Sequence, residues 1–568
     1  MFRLHLFLAV LVTVILVLTL REKYRHRFSF TQVEAMAQKL AASPYVAPPP
    51  VLPDQLKKLT PAQELGIYMR ENARLWRKDG LPFQVDFYHV SKDFPGGPKL
   101  NTVDYKGSHP LRYSPAQFAF DNLTFNPPLP TDLPFAGFYL RYPINKEGTL
   151  DGFFSVGSTG SSAGGNYFRT FAKDQIYGLS ARGLALNTEV DGKPEEFPQF
   201  SEWWLHKPAI NATEIVLDAL MDSPSVTGAY GFKVHPGAVT SVDVHATLFF
   251  RAPVERLGIA PFSSMYLYGE NFGEQTKDHF GDKGHPEKHD SDGILMHRGS
   301  GEWVWKPLLQ VRQHQLYPIP DDNPEGFGLL QRDRDFQHYQ DLNMKYNVRP
   351  SAWVIPKGKW GKGVIQLVQL PTNNTDTDNV VLFWTPDKKV QAGDRMTLDY
   401  TINFYMNDAD LPPLAYCTAT YINYPAEDKP KPVSPAIPPP AESKPAKGAK
   451  GAKAVPAKPP VFVGPPAPPG PVIPKGTVPV EFVIDFIGHG IDSIPGDQPP
   501  QIDLNCSPDG TYIKVKKVEK NDYDHLWRVT FTMYPAKPNV PTEIFCRLLR
   551  DGKPITETWT YTWHQPKP

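Results

Sequence analysis

Apolar side chains recur at every second position over long stretches beyond about residue 80, and this period of two indicates half-buried strands. The clearest runs are Val242, Val244, Ala246, Leu248 and Phe250, followed later by Leu398, Tyr400, Ile402 and Phe404. Gly, Pro or Asp bounds each run, and long helical patterns are nearly absent from residues 80–410. The sequence therefore predicts a mainly β protein with a large β-sandwich or related double-sheet domain.

Two helices are predicted before the strands begin. Thr31 and Glu34 have the spacing of a capping box, and the apolar residues around them recur at helical spacing. Thr60, Pro61 and Gln63 mark a second helix start, because proline is well tolerated at the first helical position.

A proline-rich segment divides the chain. Residues 425–475 contain 17 prolines in 51 positions, mixed with Ala, Lys and Gly. This composition cannot bury a core, so it predicts an extended linker. The linker separates a large domain, residues 28–420, from a small domain, residues 476–568, and predicts that the small domain moves relative to the large one.

Apolar and polar residues alternate again in the small domain. Its alternating residues are Phe482, Ile484, Phe486, Trp527, Val529, Phe531, Met533, Trp559, Tyr561 and Trp563. With a hairpin signal at Asp551-Gly552, these short strands predict a small immunoglobulin-like β-sandwich. Cys506 and Cys546 lie in strand-like parts of it, and both a disulfide and two separate buried thiols remain open.

The N-terminal segment predicts contact with a membrane. Residues 4–20 are mostly apolar, with Arg3 before them and a basic cluster after them. No small-x-small cleavage site follows, which favours an uncleaved anchor in residues 1–27 over a removed signal peptide. More basic residues follow the span than precede it, and by itself this would leave the body of the protein in the cytoplasm.

Composition excludes some classes of function. Lys and Arg number 60, as do Asp and Glu, so zero formal net charge makes nucleic acid an unsuitable partner. Neither a Gly-rich dinucleotide loop after a strand, nor a P-loop, nor a nucleophile elbow is present in the sequence. We therefore expect no nucleotide cofactor and no serine-hydrolase chemistry.

The densest group of titratable side chains lies between residues 278 and 297. Its members are Asp278, His279, Asp282, His285, Glu287, His289, Asp290, Asp292 and His297. Imidazoles and carboxylates bind metals, but the spacing matches no HExxH, CxxC or complete calcium loop. We expect a solvated loop with a few functional carboxylates and no metal, and a metal-dependent enzyme remains the alternative.

A charged motif follows at QRDRDF, residues 331–336. Alternating opposite charges beside an aromatic residue favour an internal salt-bridge lattice, and the polar rim of a sugar-binding groove is the alternative. On the second interpretation the substrate-binding residues are Arg332, Asp333 and Asp335.

Asp378 stands just before the apolar run at residues 380–384. A carboxylate at the mouth of a buried strand is partly desolvated, so its protonated form is favoured and it is suited to donate a proton. A turn aspartate is the plain alternative. Nearby aromatic residues, Trp353 and Trp360 among them, suit the faces of sugar rings, with core packing as the alternative.

Several longer motifs now resemble a known family. They are YGLSARGLA at 177–185, GIAP at 258–261, HDSD at 289–292, GFGLLQRDRDF at 326–336 and RPS at 349–351. In this order they resemble the periplasmic glucan biosynthesis family, MdoG/OpgG with its paralogue OpgD. The resemblance covers about residues 28–420, and residues 478–565 more loosely.

The resemblance implies a galactose-mutarotase-like β-sandwich joined to an immunoglobulin-like domain and exported to the periplasm. It overrides the charge pattern around the anchor and implies a protein tethered to the inner membrane. The implied ligand is a β-1,2-linked glucan polysaccharide, and the implied partner is the membrane glucan synthase machinery.

Relatives of OpgD are inverting β-1,2-glucanases, which implies roles for single residues. The aspartate after the histidine of HDSD is Asp290, the implied general base, and the aspartate of the DN pair is Asp378, the implied general acid. Tyr346, between the RDRDF and RPS motifs, is expected to contact substrate or to relay a proton to the base.

One departure affects substrate choice. The family segment resembling FLGASYFRA reads GSTGSSAGGNYFRT here, at residues 157–170, and this Gly/Ser-rich loop could reshape the groove. The rival to a hydrolase is a carbohydrate-binding scaffold that receives nascent glucan without cleaving it.

Overall fold

The computed structural model describes residues 28–49, 52–157, 167–271, 286–374, 377–406, 411–424, 477–537 and 540–565. Strands dominate this part of the chain and helices are short. The prediction of a mainly β protein is confirmed.

The strands follow one another with short connections. The first seventeen are β1 Ile67–Met69, β2 Gln84–Tyr88, β3 Lys99–Asp104, β4 Gly107–Pro110, β5 Phe118–Phe120, β6 Gly137–Tyr142, β7 Asp151–Val156, β8 Tyr167–Thr170, β9 Ser180–Arg182, β10 Leu184–Leu186, β11 Gln199–His206, β12 Ile215–Asp222, β13 Val226–His235, β14 Val239–Phe250, β15 Leu257–Ser264, β16 Tyr266–Tyr268 and β17 Lys288–His289. The next are β18 Gly293–His297, β19 Trp303–Pro307, β20 Gln315–Asp322, β21 Gly326–Leu330, β22 Ser351–Pro356, β23 Lys362–Gln369, β24 Val380–Pro386, β25 Arg395–Tyr405, β26 Tyr416–Asn423, β27 Val480–Ile487, β28 Gln501–Ser507, β29 Tyr512–Asn521, β30 Leu526–Tyr534, β31 Thr542–Arg550, β32 Lys553–Pro554 and β33 Thr558–Trp563.

The helices of the described residues are few. The α-helices are α1 Phe30–Ala41, α2 Asp54–Lys57, α3 Pro61–Leu65 and α4 Phe336–Tyr339. Short 3₁₀ helices occupy Glu71–Ala73, Pro115–Gln117, Tyr346–Val348 and Ile491–Ser493.

Two large sheets contain most of the strands. The ten-stranded sheet has the order β2-β6-β7-β8-β9-β15-β24-β23-β20, with β10 paired to β15. The fifteen-stranded sheet has the order β28-β31-β33-β19-β18-β21-β22-β25-β14-β13-β12-β11-β3-β4, with β32 paired to β31. The two alternating runs found in the sequence are the neighbours β14 and β25, with Val242 opposite Ile402. Their alternate apolar side chains are buried, as predicted.

The main core lies between these two sheets. Phe138 of β6 meets Trp203 of β11 edge to face, with ring centroids 5.4 Å apart, and Trp203 stacks on Phe232 of β13 at the same distance. Val244 and Ile402 complete this cluster from the larger sheet. Two sheets that share one apolar core form a β-sandwich, which confirms that part of the prediction.

Helix α1 packs on the outer face of the larger sheet. Its N-cap is Ser29, whose backbone is extended and whose N–H donates to Gln32 Oε1 at 2.8 Å. The predicted capping box at Thr31 was therefore two residues out of register. Glu34 instead accepts a hydrogen bond from Thr247 in the sheet at 2.9 Å, because tertiary contact outweighs a local cap here. The second predicted start is confirmed, with Thr60 as the N-cap of α3.

The C-terminal strands join the main body of the protein. β26 precedes the proline-rich segment and pairs with β27 after it, and β33 runs parallel to β19, with Trp305 opposite Trp559. A second core contains Leu295, Trp305 and Trp353 together with Phe482 and Trp559. The structure thus contradicts the prediction that the small domain moves independently, because separation would expose this shared core. The domain limits and the immunoglobulin-like topology stay predictions.

Three other sequence predictions concern the ends, the linker and the cysteines. Cys417, Cys506 and Cys546 are all free thiols, which decides the open question against a disulfide. None of the helices in the described residues is both long enough and apolar enough to cross a membrane. The predicted anchor at 1–27 and linker at 425–475 lie outside the described residues.

The shared core predicts a strong effect of truncating Phe482, which is fully buried between the C-terminal strands. Phe482→Ala should lower the free energy of unfolding by about 3–5 kcal/mol, because it removes buried apolar surface and leaves a cavity. Phe545→Ala is the control, since Phe545 is 42% exposed. Denaturant unfolding measures both, and equal losses in the two variants would contradict the burial of Phe482 in the second core.

Candidate functional site

Polar side chains collect at one end of the sandwich because neighbouring strands run in opposite directions. Asp290 lies just before β18, and Arg332 lies just after β21, its antiparallel neighbour. Asp378 lies before β24 of the other sheet, and the first residue of β24 pairs with Ser264 at the end of β15. The Ser264 hydroxyl oxygen is 2.9 Å from that of Ser291, so the two groups meet between the sheets.

Asp378 lies half-buried among charged groups. Burial raises the pKa of its carboxyl above the ordinary aspartate value. Arg169 opposes this shift in pKa, and the negative charge of Asp290 adds to it. Arg182 and Arg349 also lower the pKa. The structure therefore brings Asp378 and Asp290, the two aspartates singled out from the sequence, within electrostatic range of each other and of three guanidinium groups.

Asp290 is buried and firmly held, with 6% of its surface exposed. Its backbone N–H donates to the Met265 carbonyl at 2.8 Å, and its carboxylate accepts a hydrogen bond from Arg349 Nη1. Arg349 also donates from Nε to the Met344 carbonyl at 3.1 Å. The same guanidinium lies 4.4 Å from the centre of the Tyr346 ring. Arg349 thus links Asp290 to Tyr346, which was expected near it.

Two arginines beside Asp378 are additions to the site that the sequence analysis did not assign. Arg169 Nε donates to the Ser180 hydroxyl at 2.6 Å. Arg182 pairs with Glu195 at 2.7 Å, and its guanidinium lies 4.7 Å from the centre of the Tyr167 ring. Both belong to motifs that were visible, YFR and YGLSARGLA, but nothing in the sequence placed them next to Asp378.

Asn379 anchors the backbone that carries Asp378. Its side-chain Oδ1 accepts from the Tyr266 N–H at 2.8 Å, and its Nδ2 donates to the carbonyls of Tyr266 and Leu370 at 2.9 and 3.0 Å. Its own N–H donates to the Ser264 carbonyl at 3.0 Å. Four hydrogen bonds to one buried residue leave the start of β24 little freedom, so Asp378 has a defined position.

A second polar cluster lies behind Asp290, around the fully buried His289. His289 Nε2 is 3.1 Å from a Glu287 oxygen, and Nδ1 is 2.9 Å from Gln331 Oε1. Gln331 Nε2 donates to the carbonyl oxygens of His289 and Tyr346, at 3.0 and 3.2 Å. The amide of Gln331 thereby connects the imidazole of His289 to two backbone carbonyls, that of His289 itself, next to Asp290, and that of Tyr346.

The His289 cluster holds buried charge. Burial alone would lower the pKa of His289, but the hydrogen bond and charge of Glu287, together with Asp292 and Glu270, raise that pKa to about 9. Burial and the charges of Glu287 and Asp292 raise the pKa of Glu270 to about 8. Both shifts favour the protonated forms, an imidazolium at His289 and a neutral carboxyl at Glu270, and this limits the net charge that the interior must hold.

The histidine-rich region from the sequence divides in the structure. Asp278, His279, Asp282 and His285 lie outside the described residues. His297 is the last residue of β18, at the opposite end of this strand from Asp290, and it stacks on Trp303 with ring centres 4.1 Å apart. Glu287, Asp333 and His338 have donor atoms within 4.8 Å of one another. His338 is bonded to Asp333 at 2.6 Å and Glu287 to His289, so each member has a protein partner.

Trp353 and Trp360, expected as sugar platforms, pack against other side chains: Trp353 is buried in the second core, and Trp360 is partly buried against the main core. Trp353 stacks on Trp303 with centroids 5.8 Å apart. Trp360 meets Tyr400 edge to face at 6.0 Å, beside the turn that enters β23 at the far end of the strands from Asp378. The structure does not bring either ring to the paired aspartates.

The charged motif is mostly engaged within the protein. The guanidinium of Arg332 is buried against Glu557, which matches the salt-bridge interpretation. Asp335 is the N-cap of α4, where its carboxylate accepts from the Gln337 N–H at 2.8 Å, and Asp335 is solvent-exposed. Asp333 lies between them, next to the His289 cluster. The role of Asp333 and Asp335 in the polar rim of a sugar-binding groove stays a prediction.

The fold and site together define a class: a two-sheet β-sandwich protein with paired carboxylates and arginines at one end, which suits a polar, hydroxyl-rich ligand. Comparison with known proteins agrees. The family model described as periplasmic glucan biosynthesis protein, MdoG, matches residues 28–436 and 467–563, and the chain belongs to this family. Family membership gives it a role in periplasmic glucan biosynthesis and a periplasmic location.

Curated relatives match along almost the full chain. It is 35% identical over 534 residues to glucans biosynthesis protein G of Sodalis glossinidius, which covers 94% of this chain and 92% of the relative. It is 34% identical over 536 residues to the protein of the same name from Ralstonia nicotianae, with 94% and 95% covered. The resemblance stated from the sequence motifs is confirmed.

Removal of the Asn379 side chain tests how the start of β24 is held. Asn379→Ala should lower the free energy of unfolding by at least about 1–3 kcal/mol, because buried backbone groups of Tyr266 lose their partners. Asn505→Ala is the control, since Asn505 is exposed and bonds only to the nearby Asp503 among the contacts described. Chemical denaturation compares the two, and a loss no larger than that of Asn505→Ala would argue against an anchoring role.

Proposed function

We propose that this protein binds β-1,2-linked glucan at the candidate site and hydrolyses it with inversion, with Asp378 as the general acid and Asp290 as the general base. The observation that carries the proposal is the contrast between the two carboxyls. Burial raises the pKa of Asp378, whereas Asp290 is paired with a guanidinium that matches its negative charge. Inverting hydrolysis needs one protonated and one ionised carboxyl in the same site.

Tyr346 is the proposed relay between Asp290 and the attacking water. Its ring lies against the guanidinium that binds Asp290, and burial raises the pKa of its hydroxyl. The hydroxyl therefore keeps its proton at neutral pH and can pass it on while it accepts another from water. A relay of this kind allows Asp290 to act as a base without touching the water itself.

The arginines have a second proposed task. Arg169 and Arg182 flank Asp378 and carry several N–H donors each, which suit sugar hydroxyls on either side of the scissile bond. They also lower the pKa of Asp378 against the effect of burial, so the carboxyl gives up its proton to the leaving oxygen more readily.

We place the protein at the periplasmic face of the inner membrane, held there by the apolar segment at residues 4–20. Glucan would reach it from the membrane synthase machinery. The family supports the periplasm and glucan biosynthesis; the tether and the synthase partner are supported by the N-terminal sequence and by the need for a source of glucan.

A non-hydrolytic scaffold is the second candidate, and one contact favours it. The Asp290 carboxylate is already bonded to Arg349, and this bond occupies oxygen lone pairs that a base would use. Calorimetry with linear β-1,2-glucan, together with analysis of the products, separates the two candidates. Binding without new reducing ends would favour the scaffold.

Substitution of the two acids tests hydrolysis directly. Asp378→Asn and Asp290→Asn should each lower kcat for linear β-1,2-glucan by about 10²–10⁴-fold, because each removes one proton-transfer group. Reducing ends and the anomer first released are measured. Asp322→Asn is the control, because Asp322 is an exposed carboxylate at the far end of the strands. Unchanged rates in folded Asp378→Asn and Asp290→Asn would end the catalytic assignment.

The charge of Arg169 predicts a shift in the pH profile. Arg169 lowers the pKa of Asp378, so Arg169→Gln should raise it. Because the acid works only when protonated, the alkaline limb of kcat/KM should move to higher pH. Arg169→Lys keeps the positive charge and should leave the limb close to its original position. A shift to lower pH in Arg169→Gln, or equal shifts in both variants, would contradict Asp378 as the acid.

A further inference from the structure

A buried carboxylate from the C-terminal strands reaches into the polar end of the large sandwich. Glu557, just before β33, is fully buried. Its two oxygens accept from Arg332 Nη1 and Nη2 at 2.6 and 2.9 Å, and one of them also accepts from the Cys417 N–H at 2.8 Å. Arg332 Nη1 donates in turn to the Cys417 carbonyl at 2.9 Å. The guanidinium also lies 3.7 Å from the centre of the Trp305 ring.

The backbone at Arg332 holds the segment that carries Asp290. The N–H groups of Arg332 and Asp333 both donate to Asp292 Oδ2, at 2.7 and 2.8 Å. Asp292 is only two residues from Asp290, and its own N–H donates to the Leu330 carbonyl at 2.9 Å. A shift of Arg332 would therefore move Asp292, and Asp290 with it.

A second route runs through the next arginine. Arg334 Nη1 donates to the carbonyls of Asn347 and Arg349, and Arg334 Nη2 donates to the Met406 carbonyl at 2.7 Å. Arg349 is the guanidinium that binds Asp290. Residues 332–334 therefore hold the Asp290 carboxylate from two sides, and the side chain at one end of this segment is fixed by Glu557.

We propose that Glu557 is a positioning residue for Asp290, so that the C-terminal strands form part of the catalytic centre and are not a separate binding module. This inference rests on the proposed function of Asp290 as a base. Glu557 touches neither Asp290 nor, in this proposal, the glucan. It acts through Arg332, whose place in the protein is set by a two-point carboxylate contact that no neutral side chain reproduces.

The physical reason for a carboxylate here is the buried positive charge of Arg332. A bidentate pair fixes both the distance and the plane of the guanidinium. With glutamine in place of Glu557, Arg332 keeps its charge but loses that geometry, and residues 332–334 gain freedom. Catalysis is sensitive to small misplacements of a reacting group, whereas binding of a long polysaccharide spreads over many contacts.

The test compares Glu557→Gln with the double variant Arg332→Met/Glu557→Leu, in the full-length protein. The double variant removes both buried charges and leaves neither one unpaired. It can therefore still be assayed if the single variant does not fold. Both should lower kcat for linear β-1,2-glucan by about 100-fold, with KM changed by no more than about twofold. Hydrogen exchange of the amides in residues 286–297 should become faster in both.

The matched control is Arg528→Met/Asp485→Leu. Arg528 and Asp485 form another bidentate pair, with both bonds at 2.7 Å, and they lie on β30 and β27. This double variant should leave kcat and the exchange of residues 286–297 unchanged. Thermal unfolding of all variants shows whether any loss of activity simply follows loss of fold.

The outcomes separate this inference from the proposed function. If the native protein binds glucan but does not hydrolyse it, Asp290 is not a catalytic base. The hydrogen-exchange data then decide whether Glu557 orders residues 286–297, the segment that carries Asp290. Native kcat and native exchange in Arg332→Met/Glu557→Leu would overturn the inference while leaving hydrolysis intact. Equal effects in the control pair would also overturn it, because they would indicate a general loss of stability.

Discussion

Face-to-face packing of the two large sheets is the constraint on which the rest of this structure depends. Each strand of the two sheets must turn alternate side chains toward the core, and the rings of Phe138, Trp203 and Phe232 fill the space between the sheets. Polar groups can then be accommodated only on the outer faces, at the ends of strands or in paired clusters. Because β18 and β21 are antiparallel neighbours, as are β15 and β24, residues distant in the chain meet at one end, and there Asp290 and Asp378 come together.

The buried charges at this end are arranged in pairs, and their pairing gives the site its chemistry. Asp290 has Arg349, Arg332 has Glu557, and His289 has Glu287. Asp378 differs from Asp290, because burial raises its pKa against the pull of the nearby arginines. Asp290 has a guanidinium partner of its own, so the two carboxyls of one site have different surroundings.

The sequence predicted the strands better than the helix cap and the site. The period of two at β14 and β25 depends only on local alternation, and it is borne out. The cap of α1 was placed at Thr31 because Glu34 follows it at the right spacing, but Glu34 bonds to Thr247 across 213 positions of the chain. Trp353 and Trp360 were expected at the sugar, yet the local sequence around an aromatic residue is the same whether its ring faces a ligand or packs against the protein. The neighbours of Asp378 could not be predicted, since Arg169 and Arg182 reach it only through strand pairing.

The sequence by itself determined the β class of the protein, the family through its ordered motifs, and the two aspartates to consider. Local periodicity and motif order are properties of the linear sequence, so they can be recognised without the three-dimensional structure. The tertiary structure alone decided that Asp290 and Asp378 share a site, that arginines surround them, and that the C-terminal strands share a core with the large sandwich. Those facts depend on which strand ends meet and on how buried charges are neutralised, and both are set by long-range packing.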